Sequence, residues 1–322
     1  MGFRWLDFKI TNRCNNKCIY CGQQDPPSAC EIVPGQDISK ALNDALGLGY
    51  THFALLGGEP SIREDFEHLV KPLQKEGSSQ VESVMVISNM LNFNEKMYRS
   101  IFQANAKHAQ IVASVDNLKE PNYKNQNIPQ ILNSIERIQD ISREYAYLGI
   151  REVHVHTVIS RENFTNLVDH ISFFKLKDIE VSMALVEPFE IVEKPQKYNQ
   201  FTNRDVDNIL EQLNKLEDMD LLNWSNDVLR EYIDQYSNLE GKSFRECSAG
   251  NKHIIIDSDG SVYPCLTNAY KKRLKYGNII KDTLTDIHDC LENFECELLF
   301  QQTCWDHFLW SKLEKLWGGD TS

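Results

Sequence analysis

Trp5-Leu6-Asp7-Phe8-Lys9-Ile10 reads as an apolar, strand-like run, and three residues later it empties into Cys14-Asn15-Asn16-Lys17-Cys18-Ile19-Tyr20-Cys21. Three thiolates this close on one loop can converge on a metal, yet three protein ligands leave one coordination position open. On a four-iron cluster that vacancy exposes one iron to a small molecule. Iron–sulfur clusters are usually held by four Cys thiolates, so a set of three points to chemistry at the metal rather than to a purely structural role. A structural zinc site wants a closed set of four Cys or His ligands, and the first fifty residues contain no His. A disulfide framework fits poorly as well, since three is odd and nothing resembles a secretory signal.

Bulk properties bound the rest. The chain has 322 residues, 41% hydrophobic and 25% charged, ordinary for a globular protein and long enough for one large α/β core with an appendage. No apolar run approaches the roughly 18 residues that span a bilayer. With no basic-then-apolar N-terminus, the expectation is a cytoplasmic protein. Nine cysteines in a reducing compartment favour metal ligation or catalysis over disulfides. The net charge of −13 disfavours nucleic acid, which is bound by neutralising phosphates with Lys and Arg.

The first two hundred residues alternate short β-like runs with amphipathic helical patterns. Strands are predicted at Leu6–Ile10, His52–Leu56, Ser83–Ile87, Gln110–Val115, Val153–Ile159 and Glu180–Val186. Helices are predicted at Ile38–Leu48, Asp65–Glu76, Glu95–Gln103, Ile128–Arg143 and Asn166–Phe174. Such alternation implies βαβ units and a parallel sheet. Around 188–200 the texture changes, with Pro188 and Pro195 marking a connection. A helical region follows (Asp205–Leu216, Val228–Tyr236), then a cysteine-bearing C-terminal third. No internal repeat or low-complexity segment stands out.

Cys-x3-Cys-x2-Cys with Tyr20 before the last Cys resembles the signature of the radical S-adenosylmethionine (SAM) superfamily. The resemblance implies a [4Fe-4S] cluster on Cys14, Cys18 and Cys21, whose open iron is chelated by the amino and carboxylate groups of SAM. Reductive cleavage of the sulfonium would give a 5′-deoxyadenosyl radical that abstracts hydrogen from substrate, with Tyr20 near the adenine. It further implies a partial (β/α)6 barrel of TIM type, here over residues 1–200, with its site on the loops at the C-terminal strand ends by analogy with complete barrels.

Other features fall on that face. Gly57-Gly58-Glu59-Pro60, after the second strand, resembles the family's GGEP motif. Two glycines let backbone approach a ligand closely, and Glu59 would accept from the SAM ammonium; an ordinary strand-to-helix turn reads the same way. Ser88-Asn89 ends the third strand where relatives often touch SAM, and Ser114-Val115-Asp116 ends the fourth and resembles a ribose contact. Each also suits a helix cap or a turn. Leu185, closing the sixth strand, either flanks the adenine or belongs to the core. His154 and His156 lie two apart on the fifth strand, so they share one face, and a polar-lining or packed role is favoured over metal.

Cys247 and Cys265 bracket a predicted hairpin, His253–Asp257 and Ser261–Tyr263 around Ser258-Asp259-Gly260. Twelve residues separate Cys247 from Gly260 and four separate Gly260 from Cys265, a spacing that resembles the SPASM and twitch extensions, which hold auxiliary [4Fe-4S] clusters. Lacking the dense later cysteines of SPASM, the chain resembles the shorter twitch form with one auxiliary cluster, a small α+β unit over 241–322 joined through a helical connection at 201–240. Cys304 is a further expected ligand. His307 would replace the last thiolate, or three Cys leave an open iron, or Cys290 or Cys296 is recruited. A zinc ribbon of Cys247, Cys265, Cys304 and His307 is the bland alternative. Cys30 is either a buried small hydrophobe or, as in radical SAM epimerases, the donor that returns hydrogen to a substrate radical.

The resemblance fixes a reaction class rather than a substrate. A ribosomally made peptide (epimerised, cross-linked or oxidised) is preferred to dehydrogenation or epimerisation of a small polar metabolite such as an aminoglycoside-like sugar. The expected partners are that substrate and an external electron donor such as flavodoxin or ferredoxin, with no nucleic acid and no membrane. A non-catalytic iron–sulfur or zinc-binding interaction protein is the reading of another class, and it leaves the GGEP-like turn unexplained.

Overall fold

A computed structural model describes residues 3–18, 21, 30–75, 81–118, 127–186, 201–223, 229–230, 233, 249–250 and 252–291. Tyr20, Cys247, Cys296, Cys304 and His307 lie outside the described residues. Among them six strands alternate with helices: β1 Trp5–Thr11, α1 Gly35–Gly47, β2 His52–Gly57, α2 Phe66–Leu69, β3 Ser83–Ser88, α3 Glu95–Phe102, β4 His108–Ser114, α4 Ile128–Glu144, β5 Ile150–Ile159, α5 Leu167–Lys175 and β6 Val181–Leu185. After them come α6 Asn203–Asp218, β7 His253–Ile256, β8 Ser261–Tyr263, α7 Leu266–Tyr270, β9 Gly277–Asn278 and α8 Leu284–Leu291. The sheet order is β6-β5-β4-β3-β2-β1-β7-β8-β9, and β1 to β6 are parallel throughout. This is the parallel α/β sheet that the alternation implied, in the partial-barrel order that the resemblance implied.

The helices form where apolar residues recur at helical spacing. In α1, Ile38, Ala41, Leu42 and Ala45 are buried; in α4, Ile128, Ile131, Ile135 and Ile138 are. The Asn127 side chain caps α4 by accepting from the Gln130 N–H. One predicted helix fails: 65–76 is broken into the single turn α2 and a 3-10 turn at Lys71–Gln74, with Pro72 inside it. Proline removes a helical donor and clashes with the preceding turn, and the amphipathic pattern could not outweigh that.

Alternation along the strands sorts the barrel's two faces. Leu6, Phe8 and Ile10 of β1 join the large core under the helices, as do Val153 and Val155 of β5. Asp7, Lys9, Glu152, His154 and His156 take the opposite, inner face, and all five are only half-buried. The two histidines therefore line the interior; their spacing had put them on one face without saying which.

The hairpin sits in an unexpected place. β7 and β8 pair antiparallel as read, but β7 also pairs parallel with β1, Trp5 opposite His253 through Phe8 opposite Ile256. The hairpin thus continues the barrel sheet from the edge of β1. His253 Nε2 bonds with Asp7 Oδ2 across that joint at 2.9 Å.

Candidate functional site

β1 delivers the chain to the cysteine loop, and the turn after β2 holds that loop in place. The Gly58 N–H donates to the Thr11 carbonyl (2.9 Å) and the Glu59 N–H to the Arg13 carbonyl (2.8 Å). A Cβ on Gly57 would overlap the Thr11 carbonyl oxygen, and one on Gly58 would overlap the Arg13 carbonyl. Both glycines are there because the loop backbone passes where a side chain would be.

Glu59 is fully buried. Its Oε1 accepts from the Ser61 N–H (3.0 Å) and the Ser88 hydroxyl (2.7 Å), and its Oε2 from the Asn89 N–H (2.7 Å). Asn89 in turn donates through Nδ2 to Asn15 Oδ1 at 2.8 Å, inside the cysteine loop. Glu59, Ser88 and Asn89 are thus one connected brace reaching from β2 and β3 to the loop between Cys14 and Cys18. Burial raises the Glu59 pKa against the pull of these three donors.

A second brace was not anticipated from sequence. Arg63, 1% exposed, donates to the Ile10 carbonyl, to Val33 O (3.0 Å) and to Asp65 Oδ1 (2.7 Å). Glu31 lies between Arg63 (3.4 Å) and Arg13 (3.3 Å). One buried guanidinium therefore ties the end of β1 to the chain returning from the cysteine loop. The available signal was a cation three residues past the Gly-Gly-Glu-Pro turn with acidic neighbours.

Cys14 and Cys18 are half-buried, and Cys21 and Cys30 are exposed. The Asn16 N–H donates to Cys14 Sγ at 3.4 Å and the Cys21 N–H to the Cys18 carbonyl at 3.2 Å. Burial first, then the charges of Glu59 and Cys21, push the Cys14 thiol pKa up, while the Asn16 N–H opposes them. Among the described residues no three His, Cys, Asp or Glu side chains are gathered at metal-binding distance. The donor set nonetheless fits iron: three thiols on one braced loop, with negative charge nearby that a cation would relieve. Full convergence of thiolates commonly comes with the metal itself.

The remaining expected residues divide. Pro60 and Ser61 open a buried 3-10 turn. Ser114 stands beside His156 and His156 beside Ser182 in one row across β4, β5 and β6, with His156 Nδ1 and Ser182 Oγ at 2.9 Å. Asp116 is buried and accepts from the Val158 N–H at 2.9 Å, which anchors the turn after β4. Leu185 packs against the main core. Cys265 is buried and accepts from Asn268 Nδ2 at 3.1 Å. At the end of β7, Asp257 holds Lys9 Nζ (3.3 Å) and Lys272 Nζ (2.7 Å). Lys9 also lies 5.0 Å over the Tyr270 ring. Charges at every second position of β1 (Asp7, Lys9) were the overlooked signal for this inner-face site.

Residues 8–174 match the Radical SAM superfamily, and residues 247–306 match SPASM, an iron–sulfur cluster-binding domain. The chain belongs to the radical SAM superfamily. Membership brings a SAM-binding [4Fe-4S] cluster, SAM and auxiliary iron–sulfur chemistry in the C-terminal domain. A GTP 3',8-cyclase of Clostridium botulinum is 24% identical over 284 residues, 84% of this chain and 83% of the relative. Among solved structures, Streptococcus suis SuiB bound to precursor peptide SuiA has a TM-score of 0.65 at 16% identity, over 92% of this chain and 68% of SuiB. A complex of anSMEcpe with AdoMet and a peptide has a TM-score of 0.63 at 17% identity, over 96% and 94% of the two chains. At these identities the structures speak for the fold. Among the described residues no helix is long and apolar enough to cross a membrane.

Proposed function

We propose that this radical SAM enzyme abstracts a hydrogen atom from a peptide substrate bound in the barrel interior, leading to epimerisation, cross-linking or oxidation. The observation that carries the reading is the polar inner face: Lys9, Gln110, Glu152, His154, His156 and Ser182 offer donors and acceptors below the cysteine loop. A main-chain amide has both kinds of group to satisfy. The peptide-bound structures of SuiB and anSMEcpe support it by likeness of fold.

Cys14, Cys18 and Cys21 would hold the cluster, which when bound supplies one electron to the SAM sulfonium. The protein's own task is positional. Gly57 and Gly58 let the loop seat, Glu59 and Asn89 fix its middle, and Arg63 fixes its return. Tyr20, Ser114 and Asp116 are proposed along the SAM adenosine; Cys247, Cys265, Cys304 and His307 are proposed ligands of one auxiliary cluster; Cys30 is proposed as hydrogen donor. The chain is read as a barrel over 1–200, a helical connection over 201–240 and an auxiliary-cluster unit over 241–322. Its compartment is the cytoplasm and its reductant an external carrier such as flavodoxin or ferredoxin. A second reading, a small polar metabolite substrate, draws support from the GTP 3',8-cyclase relatives.

Anaerobic reconstitution with iron and sulfide, then addition of SAM and dithionite, tests the class. Formation of 5′-deoxyadenosine that is lost in Cys14→Ala is the expected result. A fully loaded protein that forms none would refute the reading.

A further inference from the structure

The loop Lys271-Lys272-Arg273-Leu274-Lys275 runs against the charge of the whole molecule. The chain carries 34 Lys and Arg against 47 Asp and Glu, yet from Gly260 to Lys281 there are five cations and no carboxylate. Lys272, Arg273, Leu274 and Lys275 are exposed, and Leu274, at 44%, puts an apolar side chain in the middle of them. Lys272 and Leu274 both take left-handed backbone (φ 50° and 52°), a conformation non-glycine residues keep only where their surroundings impose it.

What sets this loop apart is the clustering of its cations within five residues. Several cations elsewhere on the surface sit beside carboxylates: Lys107 by Glu82, Lys177 by Glu136, Lys215 by Glu211, Arg99 by Glu95 and Glu144. Lys272 turns inward to Asp257. Among the described residues no carboxylate pairs with Lys271, Arg273 or Lys275. Three neighbouring unpaired cations on a protein of net charge −13 form a local positive field, and such a field selects an acidic partner and speeds its approach.

We propose that this loop is the docking surface for an acidic one-electron carrier protein. The inference rests on the radical SAM reading, whose chemistry draws one electron from outside for each SAM cleaved. A flavodoxin in its anionic hydroquinone form would pass one electron to an iron–sulfur centre of the chain. The flavin becomes the neutral semiquinone, a [4Fe–4S]2+ cluster becomes [4Fe–4S]1+, and no bond forms or breaks. The loop begins six residues after Cys265, within the iron–sulfur cluster-binding match. Redox encounters are small, brief and electrostatically steered, which suits a few cations around one apolar side chain. A peptide substrate docks along an extended edge or groove instead.

The test compares the reconstituted wild type with K271E/R273E/K275E, leaving Lys272 on Asp257. Titration calorimetry with oxidised flavodoxin should show Kd rising at least tenfold in the variant. Wild-type affinity should fall several-fold between low and physiological salt, a dependence the variant loses. Cluster reduction by flavodoxin hydroquinone should slow in parallel, while reduction by dithionite and iron content stay unchanged. Should the triple reversal not fold, K271Q/R273Q/K275Q asks the same question more gently. Unchanged Kd and salt dependence would overturn the docking surface, and so would equal affinity for poly-glutamate of matched charge. Absence of dithionite-driven SAM cleavage would instead strike the radical SAM reading.

Discussion

Two buried carboxylates mark the mouth of the barrel, and their pKa values move in opposite directions. Glu59, past the end of β2, is held by three uncharged donors, and burial raises it. Asp257, past the end of β7, is buried too, but the ammonium groups of Lys9 and Lys272 outweigh the desolvation and lower it. The first belongs to a brace of backbone and neutral side chains packed onto the cysteine loop. The second belongs to an ionic joint between the barrel and its extension. Arg63 braces the same loop at its two ends, through the Ile10 and Val33 carbonyls, so that its guanidinium holds backbone rather than Glu59. A joint that faces an acidic molecule can use charge.

The same substitution in each region should expose the difference in tolerance. Gly58→Ala puts a methyl group onto the Arg13 carbonyl, which can yield only by moving the cysteine loop. The expected cost is about 3 kcal/mol or more, with loss of reconstituted iron. Gly260→Ala meets Asn278 Oδ1 at 3.0 Å and Ile279 Cγ1 at 3.3 Å, both side-chain atoms, at φ +82°. That change should cost about 1 kcal/mol and leave the iron of the SAM site in place. Denaturant melts and iron assays on both variants decide; equal iron loss would dissolve the distinction.

Asp257→Asn should come next, at about 2 kcal/mol, because Lys9 is left largely buried beside a neutral amide. Adding Lys9→Met to the same chain should recover most of that loss, since the uncompensated charge goes with it. A double variant no more stable than Asp257→Asn alone would show that hairpin geometry, rather than charge, holds the joint.

The strands were legible because parallel β-runs of Leu6–Ile10 or Val153–Ile159 type are dictated by local apolar pattern. The cysteine loop was legible because its donors lie within eight residues of each other. The braces were not. Glu59 meets Ser88 and Asn89 some thirty residues away, and Arg63 meets Ile10 at a separation of 53, contacts that exist only once the sheet has stacked β1 beside β2 and β3. The parallel joint of β7 to β1 was hidden likewise: a hairpin is a local signal, whereas its docking edge is a choice made by the whole sheet. The length of 65–76 as a helix misled because periodicity survived while Pro72 cut the hydrogen bonds.

The smallest expected effect is also the most specific to the two carboxylates. In the cluster-free protein, the folded state binds a proton on Glu59 more tightly than the unfolded chain does. Its contribution to stability is therefore present below the unfolded value of about 4.3 and is lost as pH rises through the raised folded value. Asp257, lowered on folding, contributes above the unfolded value of about 3.9 and loses that contribution as pH falls through its folded value. Neither Glu59→Gln nor Asp257→Asn titrates at the substituted position. The stability gap between wild type and Glu59→Gln should widen as pH is lowered toward 4.3. The gap for Asp257→Asn should instead hold steady there and close only below about 3.9. Both changes are read in urea melts at closely spaced pH. Parallel curves for the two variants would mean that the cations around Asp257 do not govern its ionisation, and the contrast between the two ends of the mouth would fail with them.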